Sequence, residues 1–541
     1  VVSQAALGSA VRVTLFSETG GAVSAMLNLA IILENSARER PNHTAIVYGQ
    51  FRLDYQTVNA MANQVANGLV KAGIRKGDKV ALSCPNLPYF PIIYFGVLKA
   101  GAVFVPLNVL LREREVAYHL SDSDARLYIC FEGTQELPIG KIGYEGFKDA
   151  GTCDNFYIIP TVPGVSTLSE LMHDQPFTFD SVQTRPDDTA IIIYTSGTTG
   201  RPKGAELTHS NNLMYSMTSR KLLNGSPDDV TLAVLPLFHS FGLNALLNSS
   251  IYGGATVVLH TRFDAGAAWR TFEEEGVSVF AGVPTMYWDL LNYPEADKFD
   301  MEKIRSTMRL GVCGGAPMPV DVMNRFQDKF NIKVLEGYGL SETTAGCSFN
   351  RIDMPQKIGS IGVPIWGMEM KAVDENMDEV PVGQPGEIVI RGPLVMKGYY
   401  KRDEANEEAF RGGWFHSGDV GYKDEDGYYY IVDRIKDMII RGGFNVYPRE
   451  IEEVLMTHPE ISLAAAIGIP HEEYGEEVKV YVILNNGSTI TSEDVLAFGK
   501  KQLAAYKYPR MVEVVKSLPI GPTGKILKSE LRKIALAGAP A

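Results

Sequence analysis

Apolar residues fall along this chain in two alternating periods. From Asp54 the stretch "DYQTVNAMANQVANGLVKAG" spaces Val58, Met61, Val65 and Leu69 as one face of a helix, with Asp54 as N-cap and Gly73 as stop. "KVALSC" then reads as a strand, "YFPIIYFGVLKAG" as a buried helix and "AVFVPL" as another strand. Such alternation predicts stacked βα units, with sheets covered on both faces.

In the middle of the chain one arrangement recurs: a short apolar run ending in a Gly- or Pro-marked loop. It occurs in "AIIIYTSGTTG", "TLAVLPLFHSFG", "VSVFAGVPT", "MRLGVCGGAP" and "KVLEGYGLSE". Ligands of open α/β sheets bind outside the carboxyl ends of strands, so five such loops are expected to converge from one sheet. After about residue 385 the texture changes to short β pieces, "GEIVIRG", "GWFHSGDVGY" and "DGYYYIVDR". A smaller α+β pattern follows, with helices in "EIEEVLMTH" and "EDVLAFGKKQLAAY" and strands in "EVKVYVIL" and "MVEVVKSLP". The predicted fold class is α/β: a large N-terminal unit of stacked α/β sheets with a small β subdomain, then a small, mobile α+β unit. The boundary is expected at "DRIKD", giving residues 26–435 and 436–541, with 1–25 as an extension outside the fold.

At 541 residues the chain exceeds what one core holds. A net charge of −13 argues against nucleic acid as the main partner. The five cysteines are dispersed, without C-x-x-C spacing, which points away from a disulfide framework or zinc site and toward a reducing cytoplasm. The longest stretch free of charged residues, 230–261, is interrupted by Pro236, His239, Asn244, Asn248, Ser249 and Ser250, so it does not read as a membrane span.

The loop "YTSGTTGRPKG" is suited to phosphate. Gly197, Gly200 and Gly204 let backbone N–H groups approach anionic oxygens, Thr195, Ser196, Thr198 and Thr199 add hydroxyls, and Lys203 adds charge. It is not a Walker loop, because Pro202 replaces the second Gly and Gly204 replaces the Mg²⁺-binding hydroxyl residue. A serine-hydrolase elbow also fails: Gly339-Leu340-Ser341-Glu342 is followed by Thr343.

This loop, together with "GYGLSET", "GWFHSGDVGY", "DRIKDMIIRGGFNVYPREIE" and "PTGKILK" in that order, resembles the adenylate-forming superfamily of acyl-CoA synthetases, adenylation domains and beetle luciferases. The similarity runs from about residue 27 to 535, nearly the whole chain. It implies that ATP and a carboxylic acid form an acyl-adenylate with release of pyrophosphate, after which the acyl group passes to coenzyme A. The phosphate loop (Thr195 to Gly200, with Lys203) would hold the β- and γ-phosphates. Glu342 would bind Mg²⁺, with Thr198 beside it. Gly314, Gly315, Ala316, Tyr338, Gly339 and Ser341 would line the nucleotide, Tyr338 stacking on adenine, while Asp419 and Arg434 would meet the ribose and phosphate. "HSGD" stands where many relatives have "HTGD", which leaves Asp419 in place. Lys525 would stabilise the charge that spreads as one anion attacks another. Lys436 would be the hinge, and Gly442 and Gly443 would line a channel for the CoA pantetheine, with Arg441 toward a CoA phosphate. Lys528 and Lys501 read as solvated.

His239 matches a position beside the reacting carboxylate. Phe241, Gly242, Ala281, Gly282, Val283, Gly311, Cys313 and Leu340 form the implied acyl wall; it offers no carboxylate for an ammonium group, which disfavours α-amino acids. The texture most resembles bacterial medium- and long-chain fatty-acid–CoA ligases. Aryl acids of the hydroxycinnamate kind are the alternative, followed by a luciferase-like oxidoreductase. An acyl-AMP ligase acting on a carrier protein would need an inserted segment, for which the span from Glu342 to Asp419 is too compact. A non-catalytic binder would be expected to lack Lys525 or Glu342. Peripheral membrane contact and a homodimer stay open.

Overall fold

Sheets of unlike character divide the chain. The computed structural model describes residues 26–160, 167–195, 201–434, 436–442, 444–485, 487–521 and 525–537. The phosphate-loop residues Ser196, Gly197, Thr198, Thr199 and Gly200, together with Gly443 and residues 1–25, lie outside the described residues.

Asp54 caps the helix Tyr55–Lys71, its side chain accepting from Thr57 N at 2.8 Å, and Gly73 follows the helix at φ +91°. The helix Tyr89–Lys99, apolar up to its closing lysine, is buried from Phe90 to Lys99. Around it stand two large sheets. In the nine-stranded one, Lys333–Tyr338, Leu310–Cys313, Val279–Gly282, Val230–Ala233 and Thr256–Leu259 run parallel in that spatial order. In the seven-stranded one, Thr189–Thr195, Val103–Pro106, Lys79–Ser83, Ala125–Phe131 and Asn155–Ile159 run parallel. Val80, Leu82, Phe104 and Ile191 share the main core with the nine-stranded sheet, whereas Ala81, Val103, Val105 and Ile192 pack into a second core on the far face. Uninterrupted apolar strands follow from that double burial.

The five repeated runs do not share one sheet. Four of the five repeated runs are neighbours in the nine-stranded sheet, but Thr189–Thr195 belongs to the other. It pairs antiparallel with Lys203–Thr208, Thr195 opposite Lys203. The strands that reach the cleft therefore come from two sheets. Apolar runs look alike in sequence, and partner choice is set by tertiary contact.

The β texture after residue 385 forms a four-stranded antiparallel sheet of Glu369–Val373, Gly386–Arg391, Phe415–Lys423 and Tyr429–Arg434. The last sheet, with strands at Ile439–Arg441, Phe444–Val446, Ile461–His471, Gly475–Leu484 and Met511–Val514, packs with helices Pro448–Met456 and Ser492–Gln502 around its own core. The fold is thus mixed α/β, a large N-terminal unit followed by a small one.

Candidate active site

A cleft of about 1400 Å³ opens where the carboxyl ends of both large sheets meet the four-stranded sheet and the segment around Lys525. The strand Lys333–Tyr338 delivers Tyr338, whose hydroxyl donates to Asp419 Oδ2 at 2.5 Å. Asp419, on the strand Phe415–Lys423, is 2% exposed and pairs through Oδ1 with Arg434 Nε at 3.0 Å. Arg434 lies opposite Asp419 in the strand register, so a local antiparallel pairing fixes the ion pair. The Ser417 hydroxyl accepts from Asp419 N at 3.1 Å and clamps the turn of "HSGD".

Glu342 sits in a short 3₁₀ turn, Ser341–Thr343, and is buried. Its Oε1 accepts from the Tyr399 hydroxyl at 2.9 Å, and its second oxygen carries no hydrogen bond among the described residues. Lys203 lies 4.9 Å from the ring centre of the same tyrosine. Tyr399 thus ties the phosphate-loop strand to the acidic residue, a role no motif in the sequence announces. Among the described residues no three His, Cys, Asp or Glu side chains cluster as a metal site.

Lys525 enters the cleft beside Gly315, which has φ +82°; a Cβ there would lie 3.5 Å from Lys525 Cε. Burial, then the charge of Arg434, lowers its proton affinity to about 8, although Asp419 and Glu342 pull the other way. His239 is held near 4, by burial first and then by the charge of Lys525, so its imidazole is neutral at pH 7. Lys436 is also lowered by burial and by Arg434.

Beyond His239 the cleft continues along one face of the nine-stranded sheet. A π-helix, Phe241–Asn248, covers it. Gly242 is required within that helix because a Cβ would come 2.2 Å from the Pro236 carbonyl oxygen. A Cβ on Gly314 would come 3.4 Å from the Phe241 ring and 3.1 Å from the Gly337 carbonyl, so the entrance is a narrow slot. Phe241, Ala281, Cys313 and Leu340 line the cleft, as do Gly314, Gly315, Ala316, Gly339 and Ser341. Gly242, Gly282 and Gly311 are set back from it, Gly282 against Phe280 and Met286 and Gly311 against Val334 and the Tyr287 hydroxyl, while Val283 Cγ1 lies 3.5 Å from where a Cβ on Gly315 would be. Arg309, paired with Asp229 at 2.7 Å, also lines the cleft.

Gly442 lies off the cleft at φ +57°, its N–H donating to the Tyr474 carbonyl at 2.8 Å. Arg441 is buried, paired with Glu477 at 2.7 Å and set over the Tyr474 ring, so its charge is already committed. Lys501 is exposed as read, but Lys528 is not solvated: it pairs with Glu452 at 2.8 Å, in a side chain only 19% exposed. Sequence spacing gave no sign of that partner, which lies on another helix.

A carboxylate–arginine pair, a buried acidic residue and a buried lysine thus share one cleft with the strand pair that flanks the phosphate-suited loop. Comparison places the chain more narrowly. The model of the AMP-binding enzyme family matches residues 33–400, and that of the AMP-binding enzyme C-terminal domain matches 450–525. A feruloyl-CoA synthase of Amycolatopsis sp is 38% identical over 92% of this chain and 97% of its own length. A long-chain-fatty-acid–CoA ligase of Escherichia coli O157:H7 is 37% identical over 89% of each. An ATP-bound MatB from Rhodopseudomonas palustris superposes with a TM-score of 0.86 at 32% identity, covering 94% of this chain and 98% of its own. The anthranilate CoA ligase AuaEII with anthranoyl-AMP gives 0.88 at 29%, covering 96% and 99%. The chain belongs to the AMP-binding enzyme family, as an AMP-forming acid–CoA ligase.

Proposed function

We propose that the protein activates a medium- or long-chain fatty acid and passes it to coenzyme A. The observation that carries the adenylation half is Lys525 inside the cleft, within the fields of Arg434, Asp419 and Glu342. Held there, its ammonium faces both the phosphate side and the acyl branch and offsets the repulsion between two anions as they react. Asp419 keeps lone pairs for ribose hydroxyls while Tyr338 and Arg434 fix its plane. Tyr338 then offers its ring to adenine, and Lys203 with the loop before it meets the β- and γ-phosphates. Glu342 suits Mg²⁺, which takes one or two carboxylates and fills its remaining positions with phosphate oxygens and water; bound there, the ion would neutralise phosphate charge. Neutral His239 is suited to orient the carboxylate without competing for its charge. Gly442 lies away from the cleft in this arrangement. Delivery of CoA therefore calls for the small unit to turn about Lys436 and take Lys525 out.

The acyl assignment rests on the branch along the sheet. Val279, Ala281 and Val312 are apolar members of its wall, with Leu222, Leu223 and Leu246. An aryl acid is the second reading, supported by the narrow slot between Gly314 and Phe241 and by the hydroxyls of Thr231, Ser249 and Ser250 farther in. Product analysis with ATP, CoA and acetate, octanoate, dodecanoate, palmitate, ferulate or coumarate tests both. Acyl-CoA with stoichiometric AMP from the alkanoates supports the fatty assignment. Turnover confined to ferulate and coumarate replaces it with the aryl one, and ADP as product overturns both.

A further inference from the structure

A second lysine holds the segment that carries Lys525. Gly521 N donates to the Lys525 carbonyl and Leu527 N to the Pro519 carbonyl, each at 2.8 Å, and Ile520 bridges Ile526. The helix Lys528–Ala537 follows at once. Lys528 therefore occupies the first position of that helix, where backbone N–H groups already carry positive partial charge and a cation is misplaced. Its site compensates. Nζ lies 2.8 Å from Glu452, itself 15% exposed. Burial opposes the ammonium, but Glu452, Asp433 and Asp437 outweigh it and raise its proton affinity above the ordinary lysine value. One turn on, Arg532 pairs with Asp437 at 3.0 Å.

These partners belong to the frame of the active site. Glu452 lies on the helix Pro448–Met456, and Asp433 on the strand that ends in Arg434. Asp433 Oδ1 accepts from Arg434 N at 2.8 Å and Oδ2 from Arg449 N at 3.0 Å. Arg434 in turn holds Asp419. Lys528 thus joins the segment bearing Lys525 to the backbone that places Arg434. The charges that set Lys525's own proton affinity are Arg434, Asp419, Lys436 and Glu342, not Lys528. The link between the two lysines is geometric, through the short stretch of chain between them.

We propose that Lys528 is a positioning residue for adenylation: its ion pair with Glu452, beside Asp433, fixes how far Lys525 reaches into the cleft. This rests on the function proposed above. A lysine displaced by about 1 Å would cost the adenylation step about 10²-fold, while a step that does not use Lys525 would be spared.

The test uses the full chain and separates the half-reactions. Adenylation is read as ATP–pyrophosphate exchange without CoA, using whichever acid gives the fastest exchange. Thioester formation is read from chemically supplied acyl-adenylate and CoA. Lys528→Met and Glu452→Gln are each expected to lower exchange about 10²-fold and leave thioester formation nearly unchanged. Lys528→Arg restores most of the exchange. In a Lys525→Ala background Lys528→Met costs nothing further, because its route runs through Lys525. Equal losses in both half-reactions, or a further loss in the Lys525→Ala background, overturn the proposal. If melting curves show that Lys528→Met does not fold, Glu452→Gln carries the same comparison. A wild-type chain without exchange overturns the function on which the inference rests, and the inference with it.

Discussion

Lys525 is set to lose its proton close to neutral pH, and that has two separable consequences. Its affinity is lowered to about 8 by burial and by Arg434, with Asp419 and Glu342 pulling back. About nine-tenths of the side chains are then charged at pH 7 and about one-tenth at pH 9. If the ammonium is what promotes adenylation, kcat/KM for exchange falls about tenfold between those values, because this ratio reports the free enzyme. Asp419→Asn removes the principal opposing carboxylate and moves the fall to lower pH. Stability changes in the other sense. The folded value lies below the ordinary 10.5, so the fold favours the neutral amine. The penalty is complete below about pH 8 and is relieved as pH rises from 8 to 10.5. At about 1.4 kcal/mol per pH unit the interval amounts to about 3 kcal/mol, reduced because the side chain keeps contact with water in the cleft. Lys525→Met is therefore expected to gain about 1–3 kcal/mol at pH 7 and little at pH 10.5, while losing adenylation. Chemical denaturation at both pH values reads the first effect and a pH profile of exchange the second. A flat profile from pH 7 to 9.5, or a methionine variant less stable than wild type at pH 7, would refute the reasoning.

Three further outcomes are expected. Ala281 is 2% exposed on the cleft wall, so Ala281→Phe should block the branch; dodecanoate turnover drops by about 10²-fold while acetate turnover is largely kept, as competition assays can show. Asp419→Ala leaves Arg434 and the Tyr338 hydroxyl without their shared partner, raising the KM for ATP at an expected cost of about 2–4 kcal/mol. Glu336 is 2% exposed, and burial, against the pull of Arg449, raises its carboxyl from 4.5 to about 7. Ionising it in the fold costs about 3 kcal/mol, a penalty absent below pH 4.5 and complete above about pH 7. Glu336→Gln should therefore raise the melting temperature at pH 8 and leave it unchanged at pH 4.5.

What the sequence disclosed follows the range of the interactions concerned. Asp419 and Arg434 were legible through the family motifs that carry them, and one antiparallel register then brings the two together. The helix from Tyr55 is legible because its cap and its apolar face are local. Tyr399 was not, since its hydroxyl reaches Glu342 across 57 positions and nothing beside it in the chain marks the contact. Lys528 was misread for the same reason: a lysine that no motif assigns reads as surface until the helix bearing Glu452 is folded against it. The alanine-rich strand Ile461–His471 lacks the β-branched alternation that signals a strand, and its long pairing with Gly475–Leu484 supplies the order instead. The acyl branch depends on a π-helix and on which face of each strand points inward, and three of the eight expected wall residues, Gly242, Gly282 and Gly311, are set back from it.

The most direct measurement is pyrophosphate exchange into ATP without CoA, with and without a carboxylic acid, in the wild type and in Lys525→Ala. Exchange is predicted to require the acid and to be lost in the variant. Exchange that proceeds without acid, or that survives the loss of Lys525, would contradict it.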